Sequence, residues 1–427
     1  MAIVELAWRI AHRYRKQVDL VGDLGCGDAR FARSGSYKQY IGFEVDRART
    51  GTGIDKPNVR LEFDCAFDAG LKYQFDLCIG NPPYARHHDI DPSWRRKAER
   101  VLSQTLPFVS DGRANTYVYF LWLALALTTE QGLVVLLLPR EWLTRPASGR
   151  VREYILKQRW NVDAYQLGDE TFERVLTTSS ICVIDKASVG ARWRLFKVEP
   201  ASSGEWTQRP IRARARLLPY ELSANGEAAQ RGLSPGNQKA LLLTEGERLR
   251  FGLEIGRDVL AAVSSFRHLS EDQLALSEHL FRHAFVNRGR RCWLINPIGA
   301  PSSALSAYLG QVREDLRSTA TCRKRDHWWR FQLPPIAPVL YASGFVADAP
   351  KAFLNEVGAI HVGCIHGIFC SSKHRALAVL KALREHRFSP MVVPLSKGFK
   401  KLEVRQMNAF LNRLGNGASD SRKHRRH

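Results

Sequence analysis

The tetrapeptide Asn81-Pro82-Pro83-Tyr84 constrains the fold of this chain most, because two consecutive prolines closely follow an apolar run from Phe75 to Gly80. A short apolar run that ends in glycine and proline is typical of a buried strand in a parallel sheet. Proline donates no backbone hydrogen bond and restricts the residue before it, so the chain is expected to leave the strand in a stiff, extended loop. This loop presents an amide, prolyl carbonyls and an aromatic ring, which suit a flat substrate that carries an amino group.

Three earlier apolar runs also end in residues that are suited to ligand binding. The first ends in Asp23-Leu24-Gly25-Cys26-Gly27, where two glycines allow a tight turn and a close approach of the backbone to a ligand. The second and third end near Glu44 and Asp64. Because ligands of open α/β sheets lie at the carboxyl ends of the strands, these residues predict a binding site along one edge of a sheet.

The alternation of apolar strands with helices predicts the fold class of the first part of the chain. Strands are predicted at residues 18–24, 40–46, 59–64, 75–80, 132–139, 162–167 and 180–184. Helices are predicted at residues 3–16, 115–129 and 151–159. This pattern is typical of an α/β, Rossmann-like, doubly wound sheet.

The positive charge of the chain is concentrated in its second part. Residues 1–190 hold 26 Lys and Arg against 23 Asp and Glu, a net charge of +3, whereas residues 191–427 hold 38 against 19, a net charge of +19. We therefore expect a first domain at residues 1–190 and a basic second domain at residues 191–415 that contacts a polyanion. Residues 416–427 are expected to form a disordered basic tail. In the second domain, the pattern predicts a helix at residues 259–266 and short strands at 339–341 and 359–362.

Three further patterns make a membrane, secreted or metal-binding protein improbable. Charged residues interrupt the first 17 residues, so no signal peptide is expected, and the most apolar run, Tyr117 to Leu127, is well short of the ~20 residues that cross a bilayer. The 8 cysteines have no framework spacing, which favours a reducing cytoplasm. His361, His366 and Cys370 match no zinc-site spacing, so no metal is expected.

The four strand ends resemble a known family when they are taken in order. Asp23-Leu24-Gly25-Cys26-Gly27, Gly42-Phe43-Glu44-Val45-Asp46, Phe63-Asp64 and Gly80-Asn81-Pro82-Pro83-Tyr84 resemble motifs I to IV of the S-adenosylmethionine-dependent amino-methyltransferases. Downstream, residues 115–127, 132–143 with Pro139-Arg140-Glu141-Trp142-Leu143, and 165–184 resemble the gamma-class, TaqI-type N6-adenine DNA methyltransferases. The resemblance covers residues 18–187. The C-terminal half resembles the target recognition domains of that family only loosely, through residues 328–331 and 353–360.

The resemblance implies a class I methyltransferase sheet, followed by a basic, mixed α+β domain that recognises the DNA target. It implies S-adenosyl-L-methionine as cofactor and double-stranded DNA as partner. The implied cofactor-binding residues are Asp23, Gly25, Cys26, Gly27, Glu44, Asp64 and Asn81. The implied catalytic residues are Asn81, Pro82, Pro83 and Tyr84.

The resemblance also implies a role for each of these groups. Asp23 and the glycine loop would face the amino-acid end of the cofactor, Glu44 its ribose hydroxyls and Asp64 its adenine amino group. Asn81 and the carbonyl of Pro82 would accept the two hydrogens of the target amine. Tyr84 would stack on a base that has been rotated out of the duplex.

Two departures from the family pattern affect the site. The region before motif I is short, so part of the methionine pocket is expected from elsewhere in the chain. A second aromatic residue that would close on the flipped base falls at Ile184 or Asp185, so this clamp is either missing or supplied by another residue such as Phe172.

The strongest DNA-contacting candidates are cations that lie among aromatic residues in the second domain. The run from Arg323 to Arg330 includes Trp328 and Trp329, whose rings are at least as typical of a core as of base stacking. The flanking cations are expected to contact phosphates. The predicted DNA-binding residues are Arg288, Arg290, Arg291, Arg323, Lys324, Arg325 and Arg330.

The resulting hypothesis is a site-specific adenine DNA methyltransferase of the cytoplasm, without a nuclease signature of its own. Such an enzyme would be the modification component of a restriction–modification system, with a possible cognate restriction endonuclease as partner. One alternative is a methyltransferase with the same motif that acts on RNA guanine or on protein glutamine. An alternative of another class is a non-catalytic, sequence-specific DNA-binding subunit.

Overall fold

The computed structural model describes residues 2–49, 54, 56–168, 179–200, 206–211, 218–224, 226–392, 394 and 398–423. The chain divides into two compact units, and the main division falls between residues 214 and 215. No helix within the described ranges is long and apolar enough to span a membrane.

The first unit contains a nine-stranded sheet. Its strands are β1 Leu20–Asp23, β2 Gln39–Phe43, β3 Val59–Glu62, β4 Phe75–Gly80, β5 Thr128–Pro139, β6 Trp160–Gln166, β7 Ser179–Val189, β8 Trp193–Pro200 and β9 Trp206–Pro210. Its helices are α1 Ala2–Tyr14, α2 Arg30–Arg33, α3 Ala66–Ala69, α4 Pro92–Thr105, α5 Thr116–Leu127 and α6 Gly149–Lys157. The strand order is β3-β2-β1-β4-β5-β7-β6-β8-β9.

Strands β1 to β5 are parallel, and β7 runs antiparallel between β5 and β6. The carboxyl ends of β1, β2, β3 and β4 therefore lie along one edge of the sheet. This is the predicted α/β, Rossmann-like sheet, and the prediction of the fold class is confirmed.

The two faces of the sheet are covered by different helices. In β5, Val134 and Leu136 belong to the cluster that contains α5, whereas Val135 and Leu137 belong to the cluster that contains α1. Successive residues of a strand point to opposite faces, so a fully apolar strand is required where both faces are covered. This requirement explains the continuous apolar sequence of residues 77–80 in β4 and 133–139 in β5.

The first sheet continues beyond the predicted boundary at residue 190. Strand β8 pairs in parallel with β6, and β9 pairs antiparallel with β8. Two contacts hold β8 in place, since Arg194 Nε donates to Asp163 over 2.7 Å and Phe196 stacks on Tyr165 at 4.9 Å. Strand β8 includes three charged residues, Arg194, Lys197 and Glu199, and β9 has only five residues, so their sequence does not distinguish them from a linker.

The second unit has the mixed α+β architecture that the sequence predicts. Its strands are β10 Ala228–Gln230, β11 Leu242–Leu243, β12 Val259–Val263, β13 Ala275–Leu276, β14 Trp293–Ile295, β15 Val339–Ala342, β16 Gly344–Phe345, β17 Ala352–Asn355, β18 Ile360–His361, β19 Ile365–Phe369 and β20 Lys400–Lys401. Its helices are α7 Gln238–Leu241, α8 Glu245–Arg250, α9 Glu278–Phe281, α10 Ser303–Gln311, α11 Glu314–Arg317, α12 Lys373–Glu385 and α13 Val404–Lys423. A π-helical turn, Arg282–Val286, follows α9.

These strands form three sheets, with the orders β10-β19-β15-β17-β13, β11-β14-β12-β18 and β16-β20. The helix predicted at residues 259–266 is wrong, because Val259 to Val263 form β12 and pair with β14 and β18. A short apolar run fits a buried helix and a buried strand equally well, and tertiary pairing decides between them. Helix α13 is assigned up to Lys423 and residues 424–427 lie outside the described residues, so the disordered tail at residues 416–427 stays a prediction.

Candidate active site

A cavity of about 570 Å³ opens at the carboxyl edge of the first sheet. This volume lies within the range of about 300–1,000 Å³ that is usual for small-molecule sites. The predicted site residues that line it are Asp23, Gly25, Cys26, Gly27, Glu44, Asp64, Asn81 and Pro83. Strand order alone brings them together, since they follow the ends of β1, β2, β3 and β4.

The loop after β1 depends on glycine at two positions. Gly25 has a φ of 151° and Gly27 a φ of 54°, both in the region that disfavours other residues. A Cβ at Gly25 would lie 3.4 Å from Cδ of Pro83, so this loop approaches the tetrapeptide loop closely. The intervening Cys26 is buried, and its amide donates to the carbonyl of Phe43 over 2.9 Å. Burial raises the pKa of its thiol, so the sulfur remains protonated at neutral pH.

Asp23 is a buried carboxyl group at the end of β1. It is 1% exposed and accepts a hydrogen bond of 2.6 Å from the hydroxyl of Tyr40. Burial raises the pKa of Asp23 to about 7, and the negative charges of Glu44 and Asp28 act in the same direction. Among the residues that the structure describes, no cation bonds to Asp23. A buried acid without a cationic partner is suited to receive a positively charged ligand group.

The other two acids are held by the backbone. Glu44 Oε2 accepts from the amide of Gly27 and Glu44 Oε1 from the amide of Asp46, each over 3.0 Å. Each oxygen retains acceptor capacity, so the fixed carboxylate can accept two hydroxyl groups of a ligand. Asp64 is exposed at the cavity and accepts from the amide of Cys65 over 2.7 Å.

The start of α5 fixes the tetrapeptide loop. Thr116 Oγ1 donates to the carbonyl of Pro83 over 2.6 Å, and the Thr116 amide donates to the carbonyl of Ala85 over 3.0 Å. Within the described part of the chain, no group donates to the carbonyl of Pro82. Asn81 is exposed in the same loop. The loop therefore presents two acceptors, the side-chain oxygen of Asn81 and the carbonyl of Pro82, on a rigid backbone.

The hydroxyl of Tyr84 lies between two acceptors. It is bonded to Oδ1 of Asn81 and, over 2.6 Å, to the carbonyl of Leu137 in β5. The ring packs edge-on against Tyr117, with centroids 6.2 Å apart, and burial raises the pKa of the Tyr84 hydroxyl. The hydroxyl thus keeps its single hydrogen at neutral pH and can donate it to one acceptor at a time.

The structure also bears on the second aromatic residue that was expected near the target base. Ile184 is buried in β7, and Asp185 forms an ion pair of 2.6 Å with Arg15. Neither side chain can close on a base, and Phe172 lies outside the described residues.

Several residues that line the cavity were not predicted. Ile3 and Val4 of α1 belong to the lining, as do Trp94 of α4 and Phe120 of α5, whose rings stack at 6.2 Å. The short region before motif I therefore supplies part of the wall itself, through α1, whereas part of the pocket was expected from elsewhere in the chain. No sequence signal marks Phe120, because α5 is buried on nearly every side and each of its residues resembles core.

The predicted DNA-binding cations fall into two groups. Arg291 is bonded to Glu247 over 2.9 Å, Arg325 donates to the carbonyl of Pro235 over 2.6 Å, and Arg290 donates to the carbonyl of Ala284. These three side chains stabilise the second unit internally. The exposed members of the set are Arg288, Arg323, Lys324 and Arg330. Trp329 is buried and belongs to the core.

Two histidines of the second unit, His361 and His366, are buried. His366 Nδ1 lies 3.2 Å from the Tyr341 hydroxyl, and burial lowers the pKa of both His361 and His366 to about 4. Within the described ranges, no group of three or more His, Cys, Asp or Glu could hold a metal ion.

Comparisons with known proteins agree with the fold and the motifs. Residues 38–172 match the family described as Eco57I restriction-modification methylase, and residues 228–384 match the family described as Type II methyltransferase M.Eco57I, C-terminal domain. Together the two matches cover about two thirds of the chain. The Type II methyltransferase M.AccI of Acinetobacter calcoaceticus is 26% identical over 112 residues, which are 26% of this chain and 20% of that protein.

Two solved structures extend the comparison. The Type IIL restriction-modification enzyme MmeI in complex with DNA has a TM-score of 0.56 and 10% identity, over 88% of this chain and 60% of that one. A methyltransferase subunit of a type I restriction-modification system from Streptococcus thermophilus has a TM-score of 0.37 and 17% identity, over 46% of each chain. The chain thus spans less than two thirds of the length of these relatives, and the likeness to MmeI bears on the fold alone.

The geometry predicts that Gly80 cannot be replaced by alanine without displacing Asp23. A Cβ at Gly80 would collide with the buried carboxyl group of Asp23. Gly80→Ala should therefore lower the free energy of unfolding by about 1–3 kcal/mol, measured by chemical denaturation. Gly112→Ala is the matched control, because a Cβ there meets nothing within 4 Å. Equal stability of the two variants would contradict the described packing of Asp23.

Proposed function

We propose that this chain, which belongs to the Eco57I family of restriction-modification methylases, transfers a methyl group from S-adenosyl-L-methionine to the N6 amino group of adenine in double-stranded DNA. The observation that carries the proposal is the convergence of three acids and Asn81 on one cavity at the sheet edge. Each of these groups matches one requirement of the reaction.

The cavity fits the proposed cofactor through the chemistry of its acids. Asp23 offers a buried carboxylate to the ammonium group of the methionine end, next to the backbone of Gly25 and Gly27. Glu44 offers two oxygens, already oriented by backbone amides, to the ribose hydroxyls. Asp64 accepts from the adenine amino group, and the apolar wall with Phe120 and Trp94 contacts flat surfaces of the ligand. When bound, S-adenosyl-L-methionine supplies an electrophilic methyl group on a sulfonium.

The tetrapeptide loop prepares the target amine. Asn81 Oδ1 and the carbonyl of Pro82 accept the two amine hydrogens, which draws the nitrogen lone pair out of conjugation with the ring. The stiff loop, fixed by Thr116, holds both acceptors in place before the substrate arrives. Alignment and fixed dipoles of this kind accelerate a direct transfer without a strong base.

Tyr84 acts in this scheme through its ring and through its hydroxyl. The ring stacks on an adenine that has left the duplex, since a paired amine is inaccessible. The hydroxyl donates to Asn81 while the amine is absent and to Leu137 once the amine takes its place. Because both acceptors lie within hydrogen-bonding distance of the hydroxyl, the hydroxyl keeps a partner when it turns to Leu137. Asn81 can then accept a hydrogen of the amine.

The second unit supplies the contact with DNA in this proposal. Residues 191–427, most of which belong to this unit, carry a net charge of +19, which favours a polyanionic substrate and a steep dependence of binding on salt. Four exposed cations are assigned to phosphate contacts: Arg288, Arg323, Lys324 and Arg330. A cognate restriction endonuclease would complete the restriction–modification system in the cytoplasm.

The proposal predicts that the purified protein, given labelled S-adenosyl-L-methionine and bacterial genomic DNA, produces N6-methyladenine. The measurement is mass spectrometry of the digested DNA, followed by sequencing that locates the modified sites. Asn81→Ala should abolish transfer and change cofactor affinity only a few-fold, because the side chain acts on the amine.

Parallel reactions with RNA and with protein acceptors test the substrate class. Label in guanine of RNA or in protein glutamine, with none in DNA, would reject the proposed substrate. Cofactor binding without any transfer, or near-normal turnover by Asn81→Ala, would contradict the mechanism. Sequence-specific DNA binding without cofactor binding would identify a non-catalytic DNA-binding subunit.

A second prediction separates the hydroxyl of Tyr84 from its ring. Tyr84→Phe removes the neutral hydrogen bond that the hydroxyl donates to Leu137 while the amine is bound, and should lower kcat by about 2- to 10-fold while leaving KM for the cofactor unchanged. Tyr84→Ala should have a larger effect, since it also removes the stacking ring. Tyr119→Phe, which removes a hydroxyl bonded to Glu99 over 3.0 Å, is the control. A Tyr84→Phe variant with the full activity of the wild type would remove the hydroxyl from the mechanism.

A further inference from the structure

We propose that Arg140 binds a phosphate of the DNA strand that carries the target adenine. This inference rests on the proposed function and extends it to a residue that lies outside the cofactor cavity. The ligand is a phosphodiester group next to the base that is held at Asn81.

Arg140 directly follows β5 and is half-buried. Within the described residues, its guanidinium forms no hydrogen bond, ion pair or ring contact. Burial lowers its pKa, and no acidic group offsets this effect. A partly buried cation without a partner destabilises a fold unless a ligand provides the opposite charge.

Three other arginines of the first unit are engaged. Arg145 forms an ion pair of 3.0 Å with Glu141, and Arg152 donates over 2.6 Å to the carbonyl of Trp142. Arg113 forms an ion pair of 3.0 Å with Asp111. The fold therefore satisfies these three cations and leaves the half-buried guanidinium of Arg140 for another group.

The position of Arg140 relates it to the site of the target amine. Gly80 of β4 pairs with Leu136 of β5, and the Leu137 carbonyl is bonded to the hydroxyl of Tyr84. Arg140 lies three residues beyond Leu137, which is about 10 Å along an extended chain. It is not among the residues that line the cofactor cavity. Its ligand is therefore a group other than the cofactor, yet one near the target base.

The chemistry of the side chain favours a phosphate as this group. A guanidinium presents a planar fork of donors that matches two phosphate oxygens. Every nucleotide is flanked by phosphates, so a base that enters the site brings one to its edge. Phosphate contacts position a strand without reading its sequence, so Arg140 should affect all target sites alike.

The test compares Arg140→Gln and Arg140→Lys with the wild type, and Arg150→Gln is the control. Arg150 is an exposed arginine of α6 that pairs with Glu153 over 3.1 Å. The substrate is a duplex oligonucleotide that contains a site located by sequencing of the methylated DNA. Kd for this duplex is measured over a range of salt concentrations, together with KM for the duplex and for the cofactor.

Arg140→Gln should raise Kd and KM for the duplex by about 10- to 100-fold and reduce the slope of log Kd against log salt by about 1. Arg140→Lys should keep the slope and lose only part of the affinity. KM for the cofactor should stay unchanged in every variant, and Arg150→Gln should match the wild type. Unchanged duplex binding and slope in Arg140→Gln, with active wild-type protein, would overturn the inference while leaving the proposed function intact.

Thermal unfolding and inorganic phosphate provide two further arms of the test. Arg140→Gln should unfold at the same Tm as the wild type or higher, because it removes an unpaired charge. A lower Tm would mean a structural role and overturn the inference.

Inorganic phosphate at matched ionic strength should inhibit methyl transfer no more than chloride does. Stronger inhibition that Arg140→Gln abolishes would identify a free-phosphate site instead and overturn the inference. Absence of DNA methylation by the wild type would reject the proposed function itself.

Discussion

The site depends on the parallel pairing of β1 with both β2 and β4, which brings the ends of these strands together. At this point Asp23 is packed against Gly80, and Tyr40 of β2 donates to its carboxyl group. Any residue larger than glycine at position 80 would occupy the space of the carboxyl group. The acid that is suited to the cofactor and the loop that is suited to the target amine are therefore held close together by this strand pairing and this contact. Glu44 joins the same arrangement through the amide of Gly27.

The sequence predicts the chemistry of this edge well because strand ends have local signals. Glycine, proline and acidic residues after apolar runs indicate where strands stop, and parallel pairing then brings those ends together without further information. The residues of the cavity wall have no such signal. Phe120 resembles any other core residue of α5, and Ile3 becomes part of the site only through the packing of α1.

Predictions from the sequence fail where tertiary pairing determines the outcome. The run from Val259 to Val263 has the composition of either element and becomes a strand because β14 and β18 are available to pair with it. The polar strand β8 belongs to the first sheet because Arg194 and Phe196 contact side chains of β6. Likewise, charge counts alone cannot separate Arg291, which stabilises the fold by pairing with Glu247, from exposed cations that are available to a ligand.

The central claim, that Asp23 receives the ammonium group of the cofactor, is tested most directly by calorimetric titration with S-adenosylhomocysteine between pH 5 and pH 8. Burial raises the pKa of Asp23 to about 7, so the carboxyl group must lose a proton before it can pair with the ligand. The account predicts that affinity rises about tenfold per pH unit up to about pH 7. Asp23→Asn should bind weakly and without this dependence. A wild-type affinity that is independent of pH, or an identical profile for Asp23→Asn, would contradict the account.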